Sequence, residues 1–262
     1  MVNAKELMTE DFVSLDVNDS LAKFIGAMKT QHVHSALLFD QGAYAGIADK
    51  KSLVRTKIDP DSVKLKHILK KVPILSSSVE EAEMARLFIN ADTRTLPVLE
   101  QNKVVGVVHA HSLLPFIQTK LAQLRAEDVA SKKIIVFKET DSVDTTIATM
   151  NSRGIDRAPV VDNNGKLTGI MTLVDLYIDF YLHHQSKKTN IGSGKGTSPG
   201  KLALSNFMVE ECSSVSPKAK MFEIINLFDS NQINSVVVVD KEKPVGIITT
   251  KDLLMAFVKP AY

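Results

Sequence analysis

A single cysteine, Cys212, stands in a chain of 262 residues. No intrachain disulfide and no multi-cysteine metal site can form from it. A reducing, cytoplasmic compartment is the expected setting. Charge of one sign is also lacking: 32 Lys and Arg stand against 30 Asp and Glu, a formal net charge of +2. That balance argues against a strongly basic nucleic-acid binder, although a local patch fits inside it. Long apolar runs are missing too. Runs such as Ser235-Val236-Val237-Val238-Val239 fall far short of the roughly 18–20 residues that span a bilayer. Met1 to Asp11 carries no apolar stretch of the signal-peptide kind. What remains is 44% hydrophobic and 24% charged, ordinary for a folded soluble protein of one to two domains with a sizeable core.

The chain repeats itself. A glycine followed by two small or apolar residues recurs as Gly46-Ile47-Ala48, Gly106-Val107-Val108, Gly169-Ile170-Met171 and Gly246-Ile247-Ile248. Before each lies an apolar run that reads as a short buried strand: Ala36–Phe39, Leu96–Leu99, Ala158–Val161 and Val236–Val239. Turn-favouring residues separate the two, as in Asp40-Gln41-Gly42 and Asp162-Asn163-Asn164-Gly165. The glycine-led run is then the second strand of a hairpin, and a short apolar helix follows it. Upstream of each hairpin sits an amphipathic helix. Leu21, Phe24, Ile25 and Met28 mark it in the first repeat, Val143, Ile147 and Met150 in the third, and Met221, Ile224, Ile225 and Phe228 in the fourth. Asp141 or Ser142 is placed to cap the third; the second, around Val79–Ile89, fits less well. Each repeat reads as strand–helix–strand–strand–helix, an α+β unit too small to bury much surface alone. Four of them suggest two pairs.

Four such units, ending in Gly-Ile-Met-Thr-Leu-Val-Asp (169–175) and Gly-Ile-Ile-Thr-Thr-Lys-Asp (246–252), resemble CBS domains. The resemblance covers residues 5–57, 64–119, 124–181 and 202–258, with a Gly/Ser/Lys-rich linker at 182–201. It implies that the domains pair into two Bateman modules whose clefts take adenosine-containing ligands: AMP, ADP, ATP or S-adenosylmethionine. The four-copy layout also resembles the regulatory gamma subunit of AMP-activated kinase.

The resemblance assigns roles. Asp175 and Asp252 take the ribose, since a carboxylate accepts two charge-assisted hydrogen bonds from a diol. Thr172 and Thr249 face the ligand or cap the following helix; Thr-x-x-Asp at a helix entry is equally a capping arrangement that needs no ligand. The first two repeats carry Asp49 and His109 for the threonine, and Ser52 and Ser112 for the aspartate. An asymmetric protein is expected, with nucleotide sites in the C-terminal pair. The adenine slot falls on Val136, Phe137, Ala158 and Pro159 in the third repeat, and on Ser214, Val215, Val236 and Val237 in the fourth, positions that core packing would also explain. Arg157 and then Lys251 are the phosphate candidates.

Other features carry less. Gly194-Lys195-Gly196-Thr197 looks like part of a phosphate-binding loop, but no strand precedes it and Pro199-Gly200 interrupts the helix that should follow. A flexible linker is the default, with Lys187, Lys188, Lys195 and Lys201 able to reach an anionic partner. His32 and His34, like His109 and His111, are two apart and conceivable as a metal pair; solvated or cleft histidines are the favoured reading, and no metal is expected. Cys212 reads as a structural thiol, and no catalytic set stands out. The reading is a non-enzymatic nucleotide sensor that requires no cofactor. Its ligand is held in the C-terminal pair and read by a protein partner or a second copy of the chain. A nucleic-acid binder using Lys64, Lys66, Lys70, Lys71 and the linker lysines, or a scaffold with vestigial clefts, is the alternative.

Overall fold

The computed structural model describes residues 2–31, 33–55, 62–178, 202–210 and 212–259. Each repeat begins with a leader turn: α1 (Ala4–Leu7), a 3-10 turn at Leu65–His67, an Ala126–Val129 helix, and a 3-10 turn at Leu204–Asn206. In the first repeat β1 (Ser14–Asp16) runs parallel to β2 (Ser35–Asp40), which pairs antiparallel with β3 (Ala43–Asp49). Helix α2 (Leu21–Thr30) joins β1 to β2, capped by Ser20. In the second repeat the first strand shrinks to one parallel bridge, Leu75 to Val98. Helix α3 (Glu81–Ala91) then leads to the hairpin β4 (Thr95–Glu100) and β5 (Lys103–His109), followed by α4 (Leu114–Ile117). The third repeat opens with the Ala126–Val129 helix as α5 and continues through β6 (Phe137–Lys138), α6 (Val143–Arg153), β7 (Arg157–Val161) and β8 (Leu167–Thr172). Helix α7 follows, with 173–178 described. The fourth adds β9 (Val209–Glu210), β10 (Ser214–Val215), α8 (Met221–Ser230), β11 (Ser235–Asp240), β12 (Lys243–Thr249) and α9 (Thr250–Val258).

Two-residue turns close three of the hairpins. Gln41 and Gly42, Gln101 and Asn102, and Lys241 and Glu242 all have positive φ, the geometry whose twist matches that of paired strands.

The recurring glycines have a structural cause. A Cβ at Gly46 would stand 2.7 Å from the Lys70 carbonyl oxygen, at Gly106 2.8 Å from that of Thr9, and at Gly169 2.7 Å from that of Val209. At Gly246 it would meet the Ala130 Cβ at 3.0 Å and the Ser131 carbonyl at 3.3 Å. Each glycine therefore admits the leader of another repeat onto the sheet edge. The exchange is reciprocal: repeat one receives the leader of repeat two and gives its own, and repeats three and four do the same. Backbone bonds secure it. Ile47 and Lys70 exchange both N–H···O bonds at 2.9 Å, and so do Thr9 and Val107. Strand β9 lies antiparallel on β8, and Ser131 bridges Ile247. Deleting a leader would leave the partner's strand edge unpaired as well as its own repeat incomplete.

The chain packs as two compact units: residues 1–124, 221–234 and 249–262, and residues 125–220 and 235–248. The fourth repeat thus gives its helices to the first unit and its strands to the second. In the first unit α9 packs against α3 and α4. Leu37 and Ile47 of repeat one meet Val107 of repeat two, with Phe39 and Tyr44 packed edge-to-face beside them.

The helices present the stripes read from the sequence, with one departure. Helix α6 buries Val143, Thr146 and Met150, and Ile147 is only half-buried. Thr146 is 0% exposed, and its hydroxyl has no hydrogen-bond partner among the described residues. The equivalent positions hold Phe24, Met84 and Ile224. An unmade buried hydrogen bond costs roughly 1–3 kcal/mol. Thr146→Val keeps the shape and removes the hydroxyl, so we expect about 1 kcal/mol of added stability by denaturant titration. A loss on this substitution would mean that the hydroxyl has a partner and that this account of the site is wrong.

Candidate functional site

Both Thr-x-x-Asp motifs fold as helix entries. Thr249 caps α9 from an extended backbone (φ −118°, ψ 166°). Its hydroxyl accepts from Asp252 N at 3.3 Å, and Asp252 Oδ2 accepts from Thr249 N at 2.8 Å and from the Thr249 hydroxyl. At Thr172 the hydroxyl accepts from Asp175 N at 3.1 Å and donates to Asp175 Oδ2. The capping role is thus realised in both repeats, and each carboxylate is held against a helix N-terminus, where the dipole favours negative charge.

In the second unit, strand register sets Arg157 directly opposite Thr172, at the end of the sheet where Asp175 begins its helix. Ala158 follows on β7, and Phe137 pairs two residues further on with Val160. Ala158, Pro159 and Phe137 are buried. Val136, read as part of the first strand, lies just before the two-residue β6 and is exposed; the register would set it opposite Pro159 of β7, which has no N–H to donate. In the fourth repeat Val236 and Val237 are 0% exposed core residues of β11. Any ligand could meet only their backbone edge. Ser214 and Val215 pair with Val237 and Val238. The repeat-four set is divided, since Thr249, Lys251 and Asp252 belong to the first unit and these four residues to the second.

The N-terminal repeats hold something the sequence reading missed. Asp49 occupies the cap position, and its Oδ1 accepts from Ser52 N and Ser52 Oγ, both at 2.8 Å. The carboxylate and hydroxyl have exchanged places, a reversal legible as Asp-x-x-Ser. Asp49 Oδ2 lies 3.4 Å from Lys70 Nζ. The second repeat has no carboxylate at either position. Ser112 Oγ donates to the His109 carbonyl at 2.7 Å, and His109 Nδ1 sits 3.1 Å from the Thr95 hydroxyl, to which Ser35 Oγ donates at 2.8 Å. Burial, and then the neighbouring His111, hold the His109 imidazole below its ordinary pKa. His111 Nε2 faces Asp229 Oδ1 at 3.6 Å. Among the described residues, no three His, Cys, Asp or Glu side chains are grouped for a metal.

Lys251, the second of the two phosphate candidates, donates to Asp92 Oδ1 at 2.8 Å, and Lys51 donates to Asp92 Oδ2 at 3.0 Å. Burial opposes ionisation of Asp92, but the bonds from Lys251 and Lys51 outweigh it and hold its pKa at about 2. Cys212 is half-buried, and burial pushes its thiol pKa up. It lines a cavity of about 260 Å³ with Lys166, Thr168, Ser214 and Glu242. His32, His183-His184, the 185–201 stretch with its Gly194–Thr197 motif, and Lys201 lie outside the described residues. No helix among the described residues is long and apolar enough to cross a membrane.

Four strand–helix–strand–strand–helix repeats that exchange leaders in pairs, the last two opening a helix with Thr-x-x-Asp, define a tandem-repeat protein. The CBS domain model matches residues 4–59, 65–119, 126–178 and 204–259, and the chain belongs to the CBS-domain family. It is 23% identical over 189 residues to the uncharacterized protein MJ1225 of Methanocaldococcus jannaschii, covering 66% of this chain and 68% of that one. To MJ1404 of the same organism it is 21% identical, covering 95% of this chain and 60% of that one. The crystal structure of MJ1225, described as that of a candidate archaeal homologue of g-AMPK, superposes with a TM-score of 0.81 at 18% identity over 98% of this chain and 100% of that chain. An uncharacterized conserved protein from Pyrococcus horikoshii gives 0.66 at 17% identity, covering 98% of this chain and 100% of that one. At these identities the structural likeness is one of fold.

Proposed function

We propose that this protein is a cytoplasmic, non-enzymatic regulatory module that binds an adenosine nucleotide through its C-terminal pair of CBS domains. One observation carries the reading. Asp175 is fixed by Thr172 at a helix N-terminus, with Arg157 opposite Thr172 in the register and Ala158 and Pro159 beside it. That arrangement supplies a bidentate acceptor for a ribose diol, a cation for phosphate and an apolar edge for a base. Asp252 with Thr249 supplies the acceptor in the fourth repeat. Phe137 belongs to the third-repeat slot, and Ser214 and Val215 to the fourth. AMP, ADP and ATP carry the phosphate for which Arg157, and then Lys251, are the candidates, and S-adenosylmethionine shares the adenosine part. The bound ligand biases one arrangement of the repeats by its differential affinity, and a protein partner or second copy reads that bias.

Thermal unfolding against adenosine ligands, with guanosine ligands as controls, tests the reading. A ligand at about 100 times its Kd stabilises by roughly 2.7 kcal/mol, on the order of 5–10 °C here. Asp175→Ala and Asp252→Ala also lose a cap, so the informative quantity is the ligand-induced increment. We expect it to vanish where the mutated aspartate holds the ribose. A flat response at millimolar ligand, or an increment untouched in both variants, would overturn the proposal.

A further inference from the structure

Buried polar atoms without partners gather at one contact. Among the described residues, Tyr44 Oη, Glu81 Oε2, His111 Nε2, Thr146 Oγ1 and Thr250 Oγ1 are buried and make no hydrogen bond. Glu81, His111 and Thr250 all belong to the first unit, where the helices of repeats two and four meet. Glu81 opens α3 and is 6% exposed. Its Oε1 stands 3.7 Å from the ammonium of Lys120, which lies 4.8 Å above the Phe257 ring of α9. Thr250 shares the buried stripe of α9 with Leu253 and Leu254. His111, on the 3-10 turn Ala110–Leu113, sets Nε2 3.6 Å from Asp229 Oδ1 of α8, outside hydrogen-bond range. At the far end of α3, Asp92 takes bonds from Lys251 and Lys51, and its carbonyl takes one from Lys70 at 2.9 Å. Helices α3 and α9 therefore run antiparallel, with a polar tie at each end. Such ties are individually weak where they are exposed. The chain also contains the apolar alternative. Repeat three has Val143 at the place of Glu81, Leu173 at that of Thr250 and Val174 at that of His111, all buried.

We propose that the contact of α3 with α9 is a switch that opens locally, parting the helices of repeat four from repeat two while the strands of repeat four stay paired. Closing the contact buries Leu253 and Leu254, which favours it. Closing also takes Glu81, Thr250 and His111 out of water with their polar atoms unmatched, and each such atom opposes closure. Opening returns them to water. The two states are thereby brought close in free energy, as a population shift requires. Asp252 lies in the first turn of α9, so a ligand held there would act on a contact already poised to move. The inference itself needs no ligand.

Native-state hydrogen exchange on the full, ligand-free chain tests it. We expect amides 85–91 of α3 and 254–258 of α9 to open together, with protection at least about tenfold below that of β11 and β12. Glu81→Leu installs the residue that repeat one carries at this place, Leu21, and Thr250→Val keeps the shape and removes the hydroxyl. Each should slow exchange in both helices by about tenfold, the ratio that one relieved polar group gives, and leave β11 and β12 unchanged. Helices protected as well as the strands would overturn the proposal. So would variants that exchange as wild type or faster, since the polar atoms would then have partners. A slowing shared equally by β11 and β12 would place the effect on global unfolding and overturn it too. No adenosine ligand is present, so this result and the adenosine-panel result stand or fall separately.

Discussion

Replacing Phe228 by alanine is expected to lower the unfolding free energy by about 3–5 kcal/mol. Phe228 is 0% exposed on α8, and the same helix position is filled by Met28, Phe88 and Met150 in the other repeats. Transfer of the lost ring from core to water accounts for roughly 1.5–3 kcal/mol, and the cavity adds the rest because close-packed neighbours relax only in part. In a chain of this size that is a fall in Tm of roughly 10 °C. Phe222 on the same helix is 59% exposed, so Phe222→Ala is the control and should stay within about 0.5 kcal/mol of wild type. Calorimetry on the two variants decides the matter. Equal falls would mean that α8 does not bury the face described.

Gly169→Ala is expected to cost about 2–3 kcal/mol, a large effect for one methyl group. The new Cβ would stand 2.7 Å from the Val209 carbonyl oxygen and 3.1 Å from the Met208 sulfur. A methionine can swing aside, but the Val209 carbonyl belongs to β9, whose register on β8 pairs Gly169 with Glu210 and Ile170 with Val209. Relieving the contact means lifting β9 from the sheet. Gly26, exposed inside α2, has nothing within 4 Å of its would-be Cβ. There alanine should stabilise by about 0.5–1 kcal/mol, because it restricts the unfolded chain and favours the helix. If Gly169→Ala proves as harmless as Gly26→Ala under urea titration, the leader exchange is not what holds β8 and β9 together.

Much of this fold is legible in the chain because the repeat enforces the same local solution four times. The apolar runs at 36–39, 96–99, 158–161 and 236–239 lie within strands. Ser142 caps α6, and its hydroxyl accepts from Thr145 N. The misfit of the second repeat also has a local cause, since Glu81 begins α3 where Leu21, Val143 and Met221 begin the other three helices. What misleads is periodicity without volume. Ile147 and Thr146 are one residue apart on α6, hydropathy favours the first, and the packing buries the second.

The candidate site divides along the same line. Thr172–Asp175 and Thr249–Asp252 form within one helical turn, so spacing alone places cap and carboxylate together. The Asp49–Ser52 reversal is equally local and readable. Arg157 opposite Thr172 needs the hairpin register, and the convergence of Lys51, Lys70 and Lys251 on Asp92 needs contacts across up to 159 residues.

The sequence by itself thus determined the repeat, its strand–helix–strand–strand–helix order, the family and the helix-entry motifs, because each depends on interactions a few residues apart. Only the tertiary structure decided why the repeated residue is glycine, which leader crosses which sheet, and which charge Lys251 meets. Those depend on backbone and side chains brought together from distant parts of the chain, and hydropathy and spacing carry no record of that approach.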